Sequence, residues 1–190
     1  MQTKAAGNES KNIDKHLHYP NDWANGKEIV DNFILVGATS KIPDEHFVAS
    51  FSNYGKEQVD LFAPGKEVYT AHWKNTYNIT QGTSFASPIV AYVAALIRSH
   101  YPKLTAPEVK QILLNSGTPY DLNIEIKQED GTKSKVPFSK LSKSGKVVNA
   151  YQALLMAKIL SKKWIRIIRL TFKILNLYNF LHLRITYSLT

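Results

Sequence analysis

Apolar residues along this chain follow two different periods. The run NFILVGATS at 32–40 is continuously apolar over strand length and ends in polar residues, the pattern of a strand covered on both faces, as in a parallel sheet. VASFSNYG at 48–55 and VDLFAPG at 59–65 are short, punctuated by Gly and Pro, and read as strands or extended pieces. EVYTAHWKNTYNIT at 67–80 alternates and is rich in Tyr, Thr and Val, as a hairpin is. Before all of these, a short apolar entry ends in AAGNES at 5–10, and a polar loop with Tyr-Pro and Asn-Gly turn signals runs to Asp31.

From Ser84 the period becomes helical. SFASPIVAYVAALIRSHY at 84–101 is apolar on nearly all sides and predicts a buried helix, about 25 Å long at ~1.5 Å per residue. Ala86, Ala91, Ala94 and Ala95 would allow close packing. With Ser84 as the N-cap, Pro88 is the fourth helical residue, where a missing N–H costs no intrahelical bond. TAPEVKQILLNSG at 105–117 predicts a second helix, opened by a Thr105–Glu108 capping box and stopped at Gly117. VVNAYQALLMAK at 147–158 predicts a third. Strands first and helices later favour an α/β layered fold with a mainly parallel sheet and flanking helices.

Composition agrees with a globular domain: 190 residues, 44% apolar and 21% charged. The chain has no cysteine, so a disulfide framework, a thiol nucleophile and a Cys-ligated metal are excluded. The residues after Met1 lack the apolar stretch of a signal peptide, and no run reaches the ~18 apolar residues needed to span a bilayer. The net charge of +9 is unevenly placed. Residues 1–130 hold all 15 acidic residues against 12 Lys and Arg, a net −3, while 131–190 hold 12 Lys and Arg and no acid. The basic character belongs to the last third, which argues against a nucleic-acid reading for the rest.

Candidate chemistry centres on GTSFASP at 82–88, where a hydroxyl stands at the start of the predicted buried helix. A serine nucleophile needs a base for its proton and donors for the oxyanion, and the unpaired N–H groups of a helix start supply the second need. Capping of the helix by Ser84 is the alternative. Similarly, GNES at 7–10 is ordinary turn chemistry taken alone.

GTSFASP resembles the G-T-S-x-A-x-P active-site signature of the subtilisin-like serine proteases, the subtilases of peptidase family S8. AAGNES resembles the segment that carries their oxyanion asparagine, and ILVGATS, ASFSNYG, VDLFAPG and GKVVNAYQAL resemble further family segments in order. The resemblance covers about residues 3 to 158. It implies a serine endopeptidase acting on polypeptides, with Ser84 as nucleophile and Asn8 donating its side-chain amide to the oxyanion opposite the Ser84 N–H. It further implies that Ala5, Ala6 and Gly7 line the pocket for the residue before the cleaved bond, with Glu9 near its rim. Gly82 would let the substrate backbone approach, and Thr83 would orient the turn.

The family order is aspartate, histidine, serine, with the first two upstream of the asparagine. No aspartate or histidine precedes Asn8, and the six histidines, His16, His18, His46, His72, His100 and His182, stand elsewhere. The expectation is therefore a partial subtilisin-like fold with its N-terminal part missing, inactive alone for want of the Asp and His, and exposing apolar surface along NFILVGA and the buried helix. The missing N-terminal half of the domain would be its partner. His72 is the nearest substitute base, and His16 with His18 form an H-x-H pair whose alternatives are a metal ligand set and a solvated loop. No metal site is identifiable, although the resemblance is compatible with calcium and with a secreted or cell-envelope location.

Residues 159–190 contain no Gly, Pro, Asp or Glu. They read as translated sequence beyond a frameshift, or as a basic amphipathic helix on an anionic membrane surface, with Lys162, Arg166, Arg169 and Lys173 at helical spacing. The division expected is thus 1–158 and 159–190. A noncatalytic peptide-binding or membrane-surface module is the alternative function.

Overall fold

The structure, a computed structural model, describes residues 1–162 apart from Leu17, Glu129 and Asp130. In chain order it forms β1 (Gln2–Ala5), β2 (Trp23–Ala24), β3 (Lys27–Glu28), β4 (Phe33–Thr39), β5 (Leu61–Pro64), β6 (Val68–His72), β7 (Thr76–Thr80), α1 (Thr83–His100), α2 (Ala106–Ser116), β8 (Thr118–Pro119), β9 (Asn123–Lys127), β10 (Lys133–Pro137) and β11 (Lys146–Val147). A third helix, α3, occupies 150–162. The expected basic tail lies outside the described residues from 163 onward.

The main sheet has the order β1-β4-β5-β11-β8. Its first four strands are parallel, and β8 joins β11 antiparallel. All seven residues of β4 are buried, because successive side chains enter two different cores. Ile34, Val36 and Ala38 meet Ala86, Val90, Val93, Ala94 and Ile97 of α1 and Ile112 and Leu113 of α2. Phe33 and Leu35 meet Ala6, Ile13 and Val59 on the opposite face. Each such aliphatic side chain contributes about 1.5–3 kcal/mol on full burial. An aromatic cluster of Phe47, Phe62 and Phe138, with ring centroids 5.3–5.6 Å apart, closes the side near β9 and β10.

Polar burial ties the layers together. The Lys110 side chain on α2 is 2% exposed and meets three carboxylates: Glu28, Asp60 at 3.4 Å and Asp22 at 3.8 Å. Lys143 adds a second ammonium, 2.7 Å from Glu28 and 3.3 Å from Asp60. Asp60 also accepts the Leu35 N–H at 2.8 Å, which joins the cluster to β4. Among the described residues no helix is long and apolar enough to cross a membrane.

Several expectations are corrected. The first helix begins at Thr83 with Gly82 as N-cap, not at Ser84, because the Thr83 N–H is taken by the side chain of Asn8. Pro88 therefore lies inside the helix, past its first four N–H groups, and deprives the Ser84 carbonyl of its i+4 donor. The helix is buried on one face only: Ala86 and Ala94 pack inward, whereas Pro88, Tyr92 (67% exposed), Ala95 and Arg98 face outward. The apolar run of β4 is not exposed, since α1 covers one face and the Ala6–Ile13–Val59 cluster the other.

Elsewhere the local signals fare unevenly. The capping box of α2 forms as expected, with Thr105 and Glu108 bonded reciprocally. Gly117 follows that helix with φ −59°, so it ends it without a left-handed turn, and its bare Cα accommodates the β11 backbone instead. The third helix starts three residues later than expected because Val147 pairs with Phe62 and Thr118, and Asn149 caps it by accepting the Gln152 N–H at 3.0 Å. Inside the supposed polar loop, β2 and β3 form a small hairpin about Asn25 and Gly26, both with positive φ. The β9–β10 hairpin was not anticipated.

Candidate active site

The candidate site lies where the β6–β7 hairpin, the start of α1 and the loop after β1 converge. β7 ends at Thr80, and the chain reaches Gly82, whose N–H donates to the Gly65 carbonyl at 2.8 Å after β5. Gly82 has φ +145°, a conformation that L side chains rarely adopt. A Cβ there would stand 3.2 Å from Ser84 Oγ and 3.5 Å from Asn8 Nδ2, so both groups border the space beside the glycine. The resemblance pairs those same two residues.

Asn8 is held by Thr83. Its Oδ1 accepts the Thr83 N–H and the Thr83 hydroxyl, both at 2.9 Å, and Thr83 Oγ1 in turn accepts the Gly7 N–H at 3.1 Å. Since an N–H can only donate, the oxygen of the carboxamide must face Thr83. The Nδ2 group is therefore directed toward Gly82.

Asn53, which sequence reasoning passed over, organises the same loop from beneath. It is 1% exposed. Its Nδ2 donates to the Ala6 carbonyl at 2.9 Å and to Glu9 Oε2 at 2.5 Å, while its Oδ1 accepts from the Glu9 and Lys11 N–H groups at 3.2 and 2.9 Å. Its own N–H donates to the Gly7 carbonyl at 3.0 Å. The available signal was a polar residue inside ASFSNYG, between buried segments.

Ser84 is exposed, and its hydroxyl makes no hydrogen bond among the described residues. Its position in the first turn of an 18-residue helix places it where the helix dipole favours negative charge. His72 does not reach it. That residue pairs with Thr76 at the far end of the hairpin and packs edge-on to Trp73. Four residue steps along β7 separate that rung from Thr80, a distance of roughly 13 Å. His18 instead approaches the asparagine loop, with Nδ1 3.9 Å from Glu9 Oε2.

Contrary to expectation Ala6 does not line a pocket: it is fully buried against Ile13, Phe33, Leu35 and Val59, while Ala5 and Gly7 on either side of it are half-buried. Burial works to raise the Glu9 carboxyl, but the Asn53 hydrogen bond, backbone N–H groups and His18 together hold it below its ordinary value. Lys4, on β1, has a buried Nζ without a hydrogen bond among the described residues. Desolvation lowers its affinity for a proton, against the opposing pull of Glu9. Among the described residues no group of three or more His, Asp or Glu is arranged to hold a metal ion. The carboxylates of Asp22, Glu28 and Asp60 are already served by two ammonium groups.

Comparison with known proteins bears on this arrangement. The chain is 40% identical over 115 residues to Subtilisin DY of Bacillus licheniformis, covering 60% of this chain and 38% of that protein. It is 42% identical over 88 residues to an extracellular serine proteinase of a Thermus species, covering 45% of this chain and 20% of that protein. Among solved structures, a prenylagaramide maturation protease superposes with a TM-score of 0.57 at 28% identity, covering 80% of this chain and 48% of that one. The subtilase cytotoxin SubAB shares the fold, with a TM-score of 0.65 at 23% identity over 86% of this chain and 51% of that one. The chain thus spans about half, or less, of the proteins it matches. The model of the subtilase family matches residues 3–143, most of the described chain, and the chain belongs to that family.

Proposed function

We propose that residues 1–158 form the nucleophile and oxyanion side of a serine endopeptidase site. Ser84 would attack the scissile carbonyl of a polypeptide to give an acyl-enzyme. Asn8 Nδ2 and the Ser84 N–H would donate to the developing oxyanion, and Ala5 and Gly7 would wall the pocket for the residue before the cleaved bond, with Ala6 supporting them from the core beneath. Gly82 would admit the substrate backbone, and Thr83 would fix the asparagine. The observation that carries this reading is the Asn8 amide, oriented by Thr83 so that Nδ2 and Ser84 Oγ border the same space beside Gly82.

None of the histidines placed within the described residues hydrogen-bonds Ser84, so in this reading the base comes from outside the described residues. The chain alone would then bind peptides without turning them over. Calcium binding and secretion are proposals from the family alone, the second in line with the extracellular proteinase of Thermus.

Two experiments test the reading. Fluorophosphonate treatment of the isolated chain is expected to label it no more than Ser84→Ala, and Ser84-dependent labelling would contradict the missing base. A chimera carrying residues 3–143 in place of the matched part of Subtilisin DY is expected to cleave peptides. Ser84→Ala should abolish that cleavage. Asn8→Ala should lower kcat by about 10²–10³, the established loss for this asparagine's counterpart in subtilisin rather than a value obtained from this geometry. Cleavage that survives Ser84→Ala would overturn the assignment.

A further inference from the structure

We infer that a lysine-lined cleft on the far side of the asparagine loop docks acidic segments of polypeptide ligands. The cleft holds about 500 Å³, within the range of about 300–1,000 Å³ common for ligand sites. Stretches remote in sequence wall it, and each brings lysine: Lys11 and Lys15, then Lys56, Lys127 and Lys140. This concentration is local, because residues 1–130 as a whole are net acidic.

Among the described residues the charges of the cleft are not cancelled from within. Its two carboxylates, Glu9 and Asp14, are turned to other partners. Glu9 accepts from Asn53, and Asp14 accepts the N–H groups of Glu57 and Gln58 at 3.0–3.2 Å. Lys56 Nζ is likewise engaged, by the carbonyls of Ser139, Ser142 and Lys143 at 3.1–3.2 Å. Lys11, Lys15, Lys127 and Lys140 have no carboxylate within ion-pair distance among the described residues. The β9–β10 hairpin displays the contrast: Lys133 and Lys135 pair with Glu125 and Glu45 at 2.7 and 2.6 Å, whereas Lys127, at the cleft, pairs with no carboxylate among the described residues.

Val136 and Leu141 line the cleft beside these ammonium groups. A mixed apolar and cationic lining suits a side chain with an aliphatic stem and a carboxylate better than a bare inorganic anion. The cleft also begins one residue from Asn8, at Glu9. The cleft and the candidate site thus share the asparagine loop. The choice of a polypeptide as ligand rests on the peptidase reading above, whereas the cleft's preference for carboxylates rests on its lysines alone.

Binding of fluorescent decapeptides to the full chain carrying Ser84→Ala tests this, since no turnover is needed. A Glu-containing peptide is expected to bind, to weaken with added salt, and to lose about tenfold in affinity in Lys11→Glu/Lys15→Glu. Lys103→Glu, at an exposed position outside the cleft, should leave binding unchanged. Lys11→Gln/Lys15→Gln, checked by thermal melting, should show a smaller loss in the same direction. Equal binding of the matching Gln peptide, or indifference to both double substitutions, would overturn the inference. So would equally tight binding of single-stranded DNA with the same lysine dependence, which would make the cleft a general polyanion surface. Failure of the Subtilisin DY chimera would refute the catalytic reading and leave these binding results standing.

Discussion

Thr83 donates two hydrogen bonds to one oxygen of Asn8, from its N–H and from its hydroxyl, each 2.9 Å long. The two residues are 75 positions apart, yet the contact caps α1 and orients the asparagine at once. Most helix caps come from the residue just before the helix. Here the cap comes from the other half of the site, so the start of the helix and the aim of the amide depend on each other.

Removing the Thr83 hydroxyl should therefore be costly. Thr83 is 1% exposed, and Thr83→Val would leave the Gly7 N–H without its acceptor and Asn8 with one bond fewer. A loss of about 1–3 kcal/mol is expected in urea denaturation, with Thr83→Ser restoring most of it. A valine variant as stable as the parent would show that the hydroxyl bridge does not hold the loop.

Asn53→Ala should have a similar or larger effect on stability, since three backbone groups, the Glu9 and Lys11 N–H and the Ala6 carbonyl, lose their side-chain partner. The expected cost is at the upper end of about 1–3 kcal/mol, accompanied by faster proteolytic nicking within residues 7–11. Unchanged nicking would argue that the loop is held by Thr83 alone.

Lys110→Met would leave Asp22, Glu28 and Asp60 facing one another with only Lys143 nearby. Loss of one partner from a buried ion cluster costs about 3–5 kcal/mol. Lys110→Arg, which keeps the charge, should lose much less by the same denaturation measurement. Similar losses from both would assign the effect to shape and not to charge.

The same cluster predicts a pH dependence. It holds three carboxylates and two ammonium groups, and burial, opposed by Lys110 but reinforced by Asp60 and Glu28, pushes Asp22 up to about 6 from an ordinary 3.8. Between those values the folded state binds the proton more tightly than the unfolded state. This group's contribution is thus present at pH 4 and lost as the pH rises through 6. Asp22→Asn should gain stability relative to the parent at pH 7 and show little difference at pH 4. A variant less stable than the parent at pH 7 would reverse the assignment.

The parts of this protein legible in its sequence are those whose causes are local. The Thr105–Glu108 box, the alternation of 67–80 and the unbroken run of β4 each carry their instructions within a few residues. The cap on α1 was misassigned to Ser84 because its true donor of order lies 75 residues away. Asn53 was missed for the same reason, reaching Ala6 across 47 positions, as was Lys110, which meets Glu28 across 82. The β9–β10 hairpin does alternate, with Ile124 and Ile126 buried and Glu125 between them, but β10 (KSKVP) carries Val136 as its one large apolar residue, too little to mark a strand by period.

β1 carries the asparagine loop on four rungs of pairing, from Gln2 with Phe33 to Ala5 with Val36. So short a ladder has little to resist a slip of one position, which would carry Asn8 about 3.3 Å along the sheet and turn each side chain to the opposite face. Ala6 would leave its cluster, and the bonds from Asn53 and Thr83 would not close. Those bonds therefore act as a proofreader for strand alignment, accepting one register and rejecting its neighbours. Correct threading of the first strand and completion of the oxyanion side become a single event, so a variant that lets β1 slide loses both together.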